Sequence, residues 1–176
     1  WNRMAMGGKP HDHAFSGGSG ERHTCDVIAN DRQPSAMRCG FKGLQVLKTT
    51  GSAFAEFYRD EYTSLADTDD RIFATTIAAN WPCSALDADW SAHRQALRAA
   101  LMDVFANHFS KSVQHTLYEM AGAAFDACAG IDEITIAMPN QHHLLADLTK
   151  LGIENPNTGF MPTDAPFGMI EATVSR

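Results

Sequence analysis

The amino-acid sequence predicts an α+β fold, in which an antiparallel β-sheet carries helices packed on one face. Three observations support this prediction. Two stretches with helical periodicity follow each other in the middle of the chain, β-like stretches lie before and after them, and short turn sequences separate several of the β-like stretches. Because the helices are consecutive and the strands can pair as hairpins, the pattern favours an antiparallel sheet over the alternating order of a parallel one.

The two predicted helices have clear apolar stripes. Residues 87–108 and residues 112–129 both place large apolar side chains near helical spacing. The candidate N-caps are Asp87 or Asp89 for the first helix and Ser112 for the second, and Gly130 is a natural stop for the second.

The predicted strands flank this helical pair. Before the helices they are residues 24–28, 37–48 and 71–81, and after the helices they are residues 131–138 and 169–174. Residues 142–148 are expected to pair with 131–138 as a hairpin, with 139–141 as its turn. Residues 7–21 are rich in Gly, Ser, Pro and His and are expected to form a loop, whereas 52–62 has no clear class.

Composition places the chain among ordinary globular proteins. Of its 176 residues, 44% are hydrophobic and 20% are charged. The net charge of −7 disfavours a surface that coats nucleic acid or an anionic membrane, but an anionic small molecule can still bind at local cations. The four cysteines, Cys25, Cys39, Cys83 and Cys128, lie far apart without a C-x-x-C pair, which favours a reducing compartment.

Single motifs do not identify a chemistry. His11 and His13 would share one face of a strand and could both reach a metal ion, but ordinary loop histidines are the more common explanation. The adjacent pair His142 and His143 would diverge on a strand. The sequence contains no G-x-S-x-G, no phosphate-binding loop and no dinucleotide fingerprint.

Longer strings are more specific. They are LQVLKTTGSAFAEFYRDEYTSL (44–65), DRIFATTIAANW (70–81), SVQHTLYEMA (112–121), IAMPNQHHLLADL (136–148) and PTDAPFGMIEATVSR (162–176). In this order they resemble the second half of urate oxidases. KPHDHAF (9–15) resembles the histidine-bearing segment between the two halves of that family. The resemblance covers nearly the whole chain.

The resemblance implies a tunnelling fold. Urate oxidases contain two tandem domains of this fold, each an antiparallel sheet backed by helices, and their subunits assemble into a barrel, usually a homotetramer, with active sites at subunit interfaces. Residues 1–22 are then expected to be an inter-domain lead-in loop, and 23–176 the C-terminal domain. The implied reaction converts urate, dioxygen and water to 5-hydroxyisourate and hydrogen peroxide without a metal or organic cofactor.

The matching positions receive substrate-binding roles through the resemblance. Arg71 is expected to grip the anionic edge of urate, and Gln114 the opposite side through its amide. Val113 is expected to contact urate through its backbone, Phe54 to stack on the purine ring, and Leu65 to line the pocket.

Two further positions receive catalytic roles. Asn140 is expected to hold dioxygen, or the attacking water, above the urate plane. His142 matches the family histidine that completes a proton-relay network, for which a pKa near neutrality is suited. His143 is expected to point away.

The resemblance also implies that part of the site lies elsewhere. The family's catalytic lysine and Thr-Asp motif belong to the N-terminal half, and the Thr163-Asp164 pair here belongs to a C-terminal string instead. We therefore expect a companion chain or segment that carries the first domain. The protein would then be made as two chains, be processed into two, or be a fragment. A standalone tunnelling-fold module is the remaining possibility.

Two functional alternatives stay open at this point. One is another tunnelling-fold purine or pterin enzyme, and the other is a catalytically incomplete binding subunit. The final Val174-Ser175-Arg176 lacks the S-K-L peroxisomal signal, which favours a bacterial-type cytoplasmic protein.

Overall fold

Antiparallel strands and two consecutive helices make up the chain, which confirms the predicted α+β class. The computed structural model describes residues 1–18, 20–83, 85–163 and 167–176. The strands are β1 (Asn2–Met6), β2 (Lys9–Ser16), β3 (Arg22–Asn30), β4 (Gln33–Lys48), β5 (Phe73–Pro82), β6 (Glu133–Ala137), β7 (His143–Leu145), β8 (Phe160–Pro162) and β9 (Glu171–Ser175). The helices are α1 (Trp90–Asn107) and α2 (Val113–Ala127), and a short 3-10 turn covers Thr149–Leu151.

Seven of these strands form one sheet in the order β1-β2-β4-β5-β6-β9, with β3 paired along the first part of β4. Every pairing between the named strands is antiparallel. β7 and β8 form a separate two-stranded ribbon. The long strand β4 is the centre of this arrangement, because β2 and β3 share one of its edges and β5 occupies the other.

Both helices begin where the sequence predicts. The Asp89 side chain accepts a hydrogen bond from the backbone N–H of Ala92, and Ser112 accepts one from His115. The second helix ends earlier than expected, because Cys128 is already extended while its N–H bonds back to Ala124 O. Gly130 is therefore not the residue that stops it.

The core lies between the helices and one face of the sheet. Along β5 the residues at odd positions from 73 to 81 are all buried, and the even positions after Ala74 are only partly buried. Phe41 and Trp81 from the sheet join Leu101 and Phe105 of α1 and Leu117 of α2 in one apolar cluster. The cluster holds both helices on the same side of the sheet.

The expected lead-in loop is wrong, because residues 2–16 form a β-hairpin that extends the sheet. Gly7 and Gly8, with φ of 56° and 78°, make the two-residue turn between Met6 and Lys9. β2 then pairs with the end of β4, with Ala14 opposite Lys48. Two of the glycines that suggested a loop, Gly7 and Gly8, are thus the turn of a hairpin.

The expected hairpin between 131–138 and 142–148 is also wrong. Both edges of β6 are already occupied by β5 and β9, so the following segment cannot pair with it. β7 pairs with β8 instead. Residues 52–62, which had no clear class, contain no helix or named strand, and Asp164 of the Thr163-Asp164 pair lies outside the described residues.

Candidate urate-binding site

A cavity of about 420 Å³ lies where the segment after β4, the start of β5 and the segment after β6 meet. Its lining residues are Phe54, Leu65, Ala66, Thr68, Arg71, Asn140, His142 and Leu144. Five of the seven residues singled out from the sequence are in this set. The structure therefore brings together side chains as distant along the chain as Phe54 and Leu144, which are 90 positions apart.

Arg71 is the charged group of the cavity. Its Nε donates to Ala53 O at 3.1 Å and its Nη1 to Asn140 Oδ1 at 3.3 Å, while the guanidinium lies 5.2 Å from the centre of the Phe73 ring. Its Nη2 is buried, with no hydrogen-bond partner among the described residues. Burial lowers the pKa of Arg71, because a cation is less stable away from water. An anion beside this guanidinium would satisfy the free donor and offset the desolvation.

Phe54 is held by backbone bonds on both sides. It exchanges two hydrogen bonds with Thr68, at 2.8 and 3.0 Å, and its neighbours Ala53 and Ala55 donate to the carbonyls of Ser110 and Lys111. The Phe54 ring is stacked on Phe57 with their centres 4.4 Å apart. Only the other face of the Phe54 ring is therefore left for a ligand.

Asn140 and His142 flank a residue that anchors their segment. Gln141 donates from its backbone to Ala74 O at 3.1 Å and from its side chain to Thr76 Oγ1 at 3.0 Å, so it ties the segment to β5. A guanidinium only donates hydrogen bonds, so the Asn140 side-chain oxygen must face Arg71. The Asn140 Nδ2 therefore remains a free donor among the described contacts. The His142 ring likewise has no hydrogen-bond partner within the described residues.

Val113 and Gln114 do not line the cavity. Val113 is buried in the core, and Gln114 is exposed on the first turn of α2. This turn follows Ser110 and Lys111, whose carbonyls accept the backbone bonds of the Phe54 segment. Their backbone N–H groups belong to the first turn, where no helical partner is available.

A second cavity of about 400 Å³ adjoins the first. The two share Thr68, Arg71, His142 and Leu144, and the second adds Asp70 and His143 among its lining residues. His143 does not line the first cavity, and its Nδ1 lies 3.3 Å from Gln141 O. Arg71 and His142 thus separate two neighbouring cavities.

The His11 ring near the start of the chain is occupied by other contacts. Both ring nitrogens of His11 contact protein atoms, because Nδ1 accepts from the backbone of His13 and Ala14 and Nε2 lies 3.3 Å from Asn107 Oδ1. Across the described ranges, no group of three or more His, Cys, Asp or Glu side chains is arranged to hold a metal ion. No helix in those ranges is long and apolar enough to cross a membrane.

Comparison with known proteins decides the family. The family model described as Uricase matches residues 37–171, which is most of the chain. The chain belongs to the uricase family. It is 42% identical over 176 residues to the uricase of Arthrobacter globiformis and 35% identical over 177 residues to that of Dictyostelium discoideum.

Solved structures of uricases share this fold. The crystal structure of the uricase from Arthrobacter globiformis matches 99% of the chain with a TM-score of 0.84 and 40% identity. The urate oxidase from Bacillus sp. TB-90 matches 96% of the chain with a TM-score of 0.71, and at 18% identity this shows the fold alone. The antiparallel sheet with two helices is thus the tunnelling fold implied by the resemblance.

The chain spans about three-fifths of the relatives it matches. It covers 57% of the Arthrobacter globiformis uricase, 61% of the Dictyostelium discoideum uricase and 60% of the solved Arthrobacter globiformis chain. The remaining two-fifths of those relatives have no counterpart in these 176 residues.

Four residues of this uricase-family site were missed by sequence reasoning, and one of them is Ala66, which lines the cavity. Thr68 and Leu144 line the cavity, and Gln141 anchors the segment that carries Asn140 and His142. Gln141 and Leu144 lie within the MPNQHHLL string, so the string itself was their only signal. No spacing in the sequence marks Thr68 as a neighbour of Phe54.

Proposed function

We propose that the protein oxidises urate with dioxygen to 5-hydroxyisourate and hydrogen peroxide, without a metal or organic cofactor. This chain supplies the side of the active site that grips urate. The observation that carries the proposal is the cavity in which Arg71, Asn140 and Phe54 converge, in a chain of the uricase family.

Urate binding rests on charge and on ring stacking. The anionic edge of urate meets the Arg71 guanidinium, whose Nη2 is buried without a partner among the described residues, and a paired carbonyl oxygen and ring nitrogen suit its planar fork. The free face of Phe54 stacks on the purine ring, and Leu65 covers the apolar side. These contacts hold the ring flat and exclude water from one side.

Dioxygen is positioned by Asn140. Its Oδ1 accepts from Arg71, so its Nδ2 is the atom that donates to dioxygen or to the attacking water. His142 lies in the same cavity and relays a proton. Urate loses two electrons, dioxygen takes them up as hydrogen peroxide, and water supplies the hydroxyl group of the product.

Gln114 and Val113 complete the grip from the opposite side. Val113 acts through its backbone N–H, because its side chain is buried in the core. Gln114 is exposed in this chain and turns towards urate when the site is closed by its companion. The companion segment carries the lysine and threonine that start the reaction by removing a proton from urate.

The assembled protein is a barrel-type oligomer, usually a tetramer in this family, and acts in the cytoplasm. A seven-stranded sheet with open edges at β1, β3 and β9 supports an assembly, since edge strands present unpaired backbone groups. Neither nucleic acid nor a membrane is a partner.

The test is a urate assay on matched samples. The chain assembled with its companion segment bleaches urate absorbance and releases one peroxide per urate, and the chain alone does not. The matched control replaces Arg71 with alanine in the assembled protein and removes turnover. Turnover by the isolated chain would contradict the division of the site, and an inactive assembly with Arg71 intact would overturn the proposed reaction.

A further inference from the structure

Lys48, the last residue of β4, has a side chain that is fully buried, with 0% of its surface exposed. An ammonium group away from water is costly unless its surroundings stabilise it. Lys48 lies within the string of residues 44–65, but no role was assigned to it there, and the proposed chemistry does not use it. Its contacts therefore need an explanation.

The Lys48 ammonium binds the end of α1. Nζ donates to His108 O at 2.6 Å, where the helix exposes its last carbonyls and the negative end of its dipole. The same Nζ lies 5.7 Å from the centre of the Phe105 ring, which packs against Phe73 at 5.2 Å. Arg71 lies 5.2 Å from the centre of the Phe73 ring, so two cations share one aromatic pair.

Hydrogen bonds and a short stretch of backbone connect Lys48 to the candidate site. Lys48 fixes His108, which begins the connection between α1 and α2. In that connection Ser110 donates to Gly51 O at 3.0 Å and accepts from Ala53 N at 2.6 Å. Ala53 O in turn accepts from Arg71 Nε at 3.1 Å. The backbone that carries Phe54 and orients Arg71 thus rests on the contact made by Lys48.

We propose that Lys48 is a positioning residue of the urate site. Its charged form holds the α1–α2 connection against residues 51–55, and it becomes more fully protonated when an anion binds at Arg71. The anion is the urate of the proposed function, on which this inference rests.

Electrostatics supports the second part of the proposal. Burial, and after it the positive charge of Arg71, lower the pKa of Lys48 to about 8, while Asp70 opposes the shift. An anion against Arg71 offsets that repulsion and raises the pKa of Lys48. Binding and protonation are therefore linked, and urate binding takes up a proton near pH 8.

Two histidines near Lys48 titrate below this range. His13 on β2 and His108 after α1 have pKa values lowered from 6.5, mainly by burial, so both are neutral above pH 7. His115 of α2 contacts the His108 ring, and Asp70 is an exposed carboxylate. Arg71 stays charged throughout. Lys48 is the group of this cluster whose pKa is lowered to about 8.

The first experiment compares Lys48→Met with the unchanged protein, both with the companion segment present. Urate affinity is measured calorimetrically without oxygen, so that no turnover occurs. Lys48→Met weakens urate binding by roughly tenfold, and Lys48→Arg, which keeps the charge, recovers most of it. Lys42→Met, on the exposed side of the same strand, leaves binding unchanged. Equal affinity of a folded Lys48→Met protein would overturn the proposal.

The second experiment uses only the unchanged protein, so it does not depend on whether a variant folds. Urate binding to the unchanged protein is measured near pH 8 in buffers with different ionisation enthalpies, which reveals proton uptake. Net uptake is expected, and none would contradict the linkage. A third measurement requires no urate: amide hydrogen exchange at residues 53–55 becomes faster in Lys48→Met and not in Lys42→Met. If the protein binds no urate but this exchange changes, the proposed function fails while the positioning role stands.

Discussion

Two regions of this chain differ in how they are held together. The scaffold, formed by β4, β5, α1 and α2, is closely packed around side chains such as Trp81 and Phe105, which are fully buried. The rim, formed by residues 52–72 and 139–163, has little regular structure, and Tyr58 and Tyr62 there are 87% and 83% exposed. Yet most residues that line the candidate site belong to the rim.

The difference shows where the precision of the site comes from. A few backbone bonds join rim to scaffold, including Ala53 N to Ser110 O, Arg71 N to Ser52 O and Gln141 N to Ala74 O. Variants of the scaffold should therefore change stability, and variants of the rim should change binding or turnover. The five predictions below test this division, beginning with the largest expected effect.

The largest effect is expected in the scaffold. Phe105→Ala removes a fully buried ring that packs against Phe73, and should lower the free energy of unfolding by about 3–5 kcal/mol. Urea unfolding followed by circular dichroism measures this. Phe109→Ala is the control, since that ring is 55% exposed and its loss should change stability by no more than about 0.5 kcal/mol. Similar losses for both would erase the distinction between the regions.

Arg71→Ala should act on binding rather than on stability. It removes the cavity's cation and the donor to Asn140, so urate affinity should fall by about a hundredfold or more while the unfolding midpoint moves little. Anaerobic calorimetry on the assembled protein measures the affinity. The control is Arg22→Ala, an exposed arginine on β3 that does not line the cavity. Unchanged affinity in Arg71→Ala would favour a catalytically incomplete binding subunit.

The buried Lys48 should give stability a distinct pH dependence. Its pKa is about 8 when folded and 10.5 in the unfolded chain, so the unfolded state binds more protons between those values. Stability should therefore rise with pH from about 8 to 10.5 by about 2 kcal/mol relative to Lys48→Met. Urea unfolding of both proteins across this range gives the difference. If the difference in the free energy of unfolding between the two proteins stays constant with pH, folding does not shift the pKa of Lys48.

Gln141→Leu should lower turnover with little change in folding. The loss of the hydrogen bond to Thr76 frees the segment that carries Asn140 and His142. The value of kcat should therefore fall by about tenfold, and urate affinity should fall less than kcat does. Thr76→Val should have the same effect without adding to it, because both remove one bond. Peroxide release measures kcat. Gln95→Leu on the exposed face of α1 is the control. An equal loss of kcat in that variant would contradict the anchoring role of Gln141.

The smallest effect is expected at the outer surface of the rim. Tyr62→Ser removes an exposed ring with no packed neighbours to lose, so stability should change by less than about 0.5 kcal/mol. Thermal unfolding of the chain measures this. A clear loss of activity in the assembled protein alone would indicate that the companion segment covers this surface.

Sequence reasoning predicted the parts of the fold that depend on local pattern. The apolar stripe after Ser112 predicted α2, and the β-branched and aromatic residues of 71–81 predicted β5. It failed where pairing depends on distant residues. Gly7 and Gly8 form a hairpin turn because β2 can bind the end of β4, which no local pattern reveals.

The candidate site shows the same limit. Arg71 and Asn140 are 69 positions apart and were grouped only through the family strings, yet their side chains are bonded. The same strings included Val113 and Gln114, which lie outside the cavity in this chain. The burial of Lys48 could not be predicted at all, since a lysine at a strand end is ordinarily exposed and here depends on the end of α1.

The most direct test of the account is a crystal structure of the assembled protein with urate, grown without oxygen. The account predicts that urate lies within hydrogen-bonding distance of the Arg71 guanidinium, with its ring on the free face of Phe54 and Asn140 Nδ2 directed above its plane. Urate bound away from Arg71, or in the adjoining cavity beside Asp70 and His143, would contradict it.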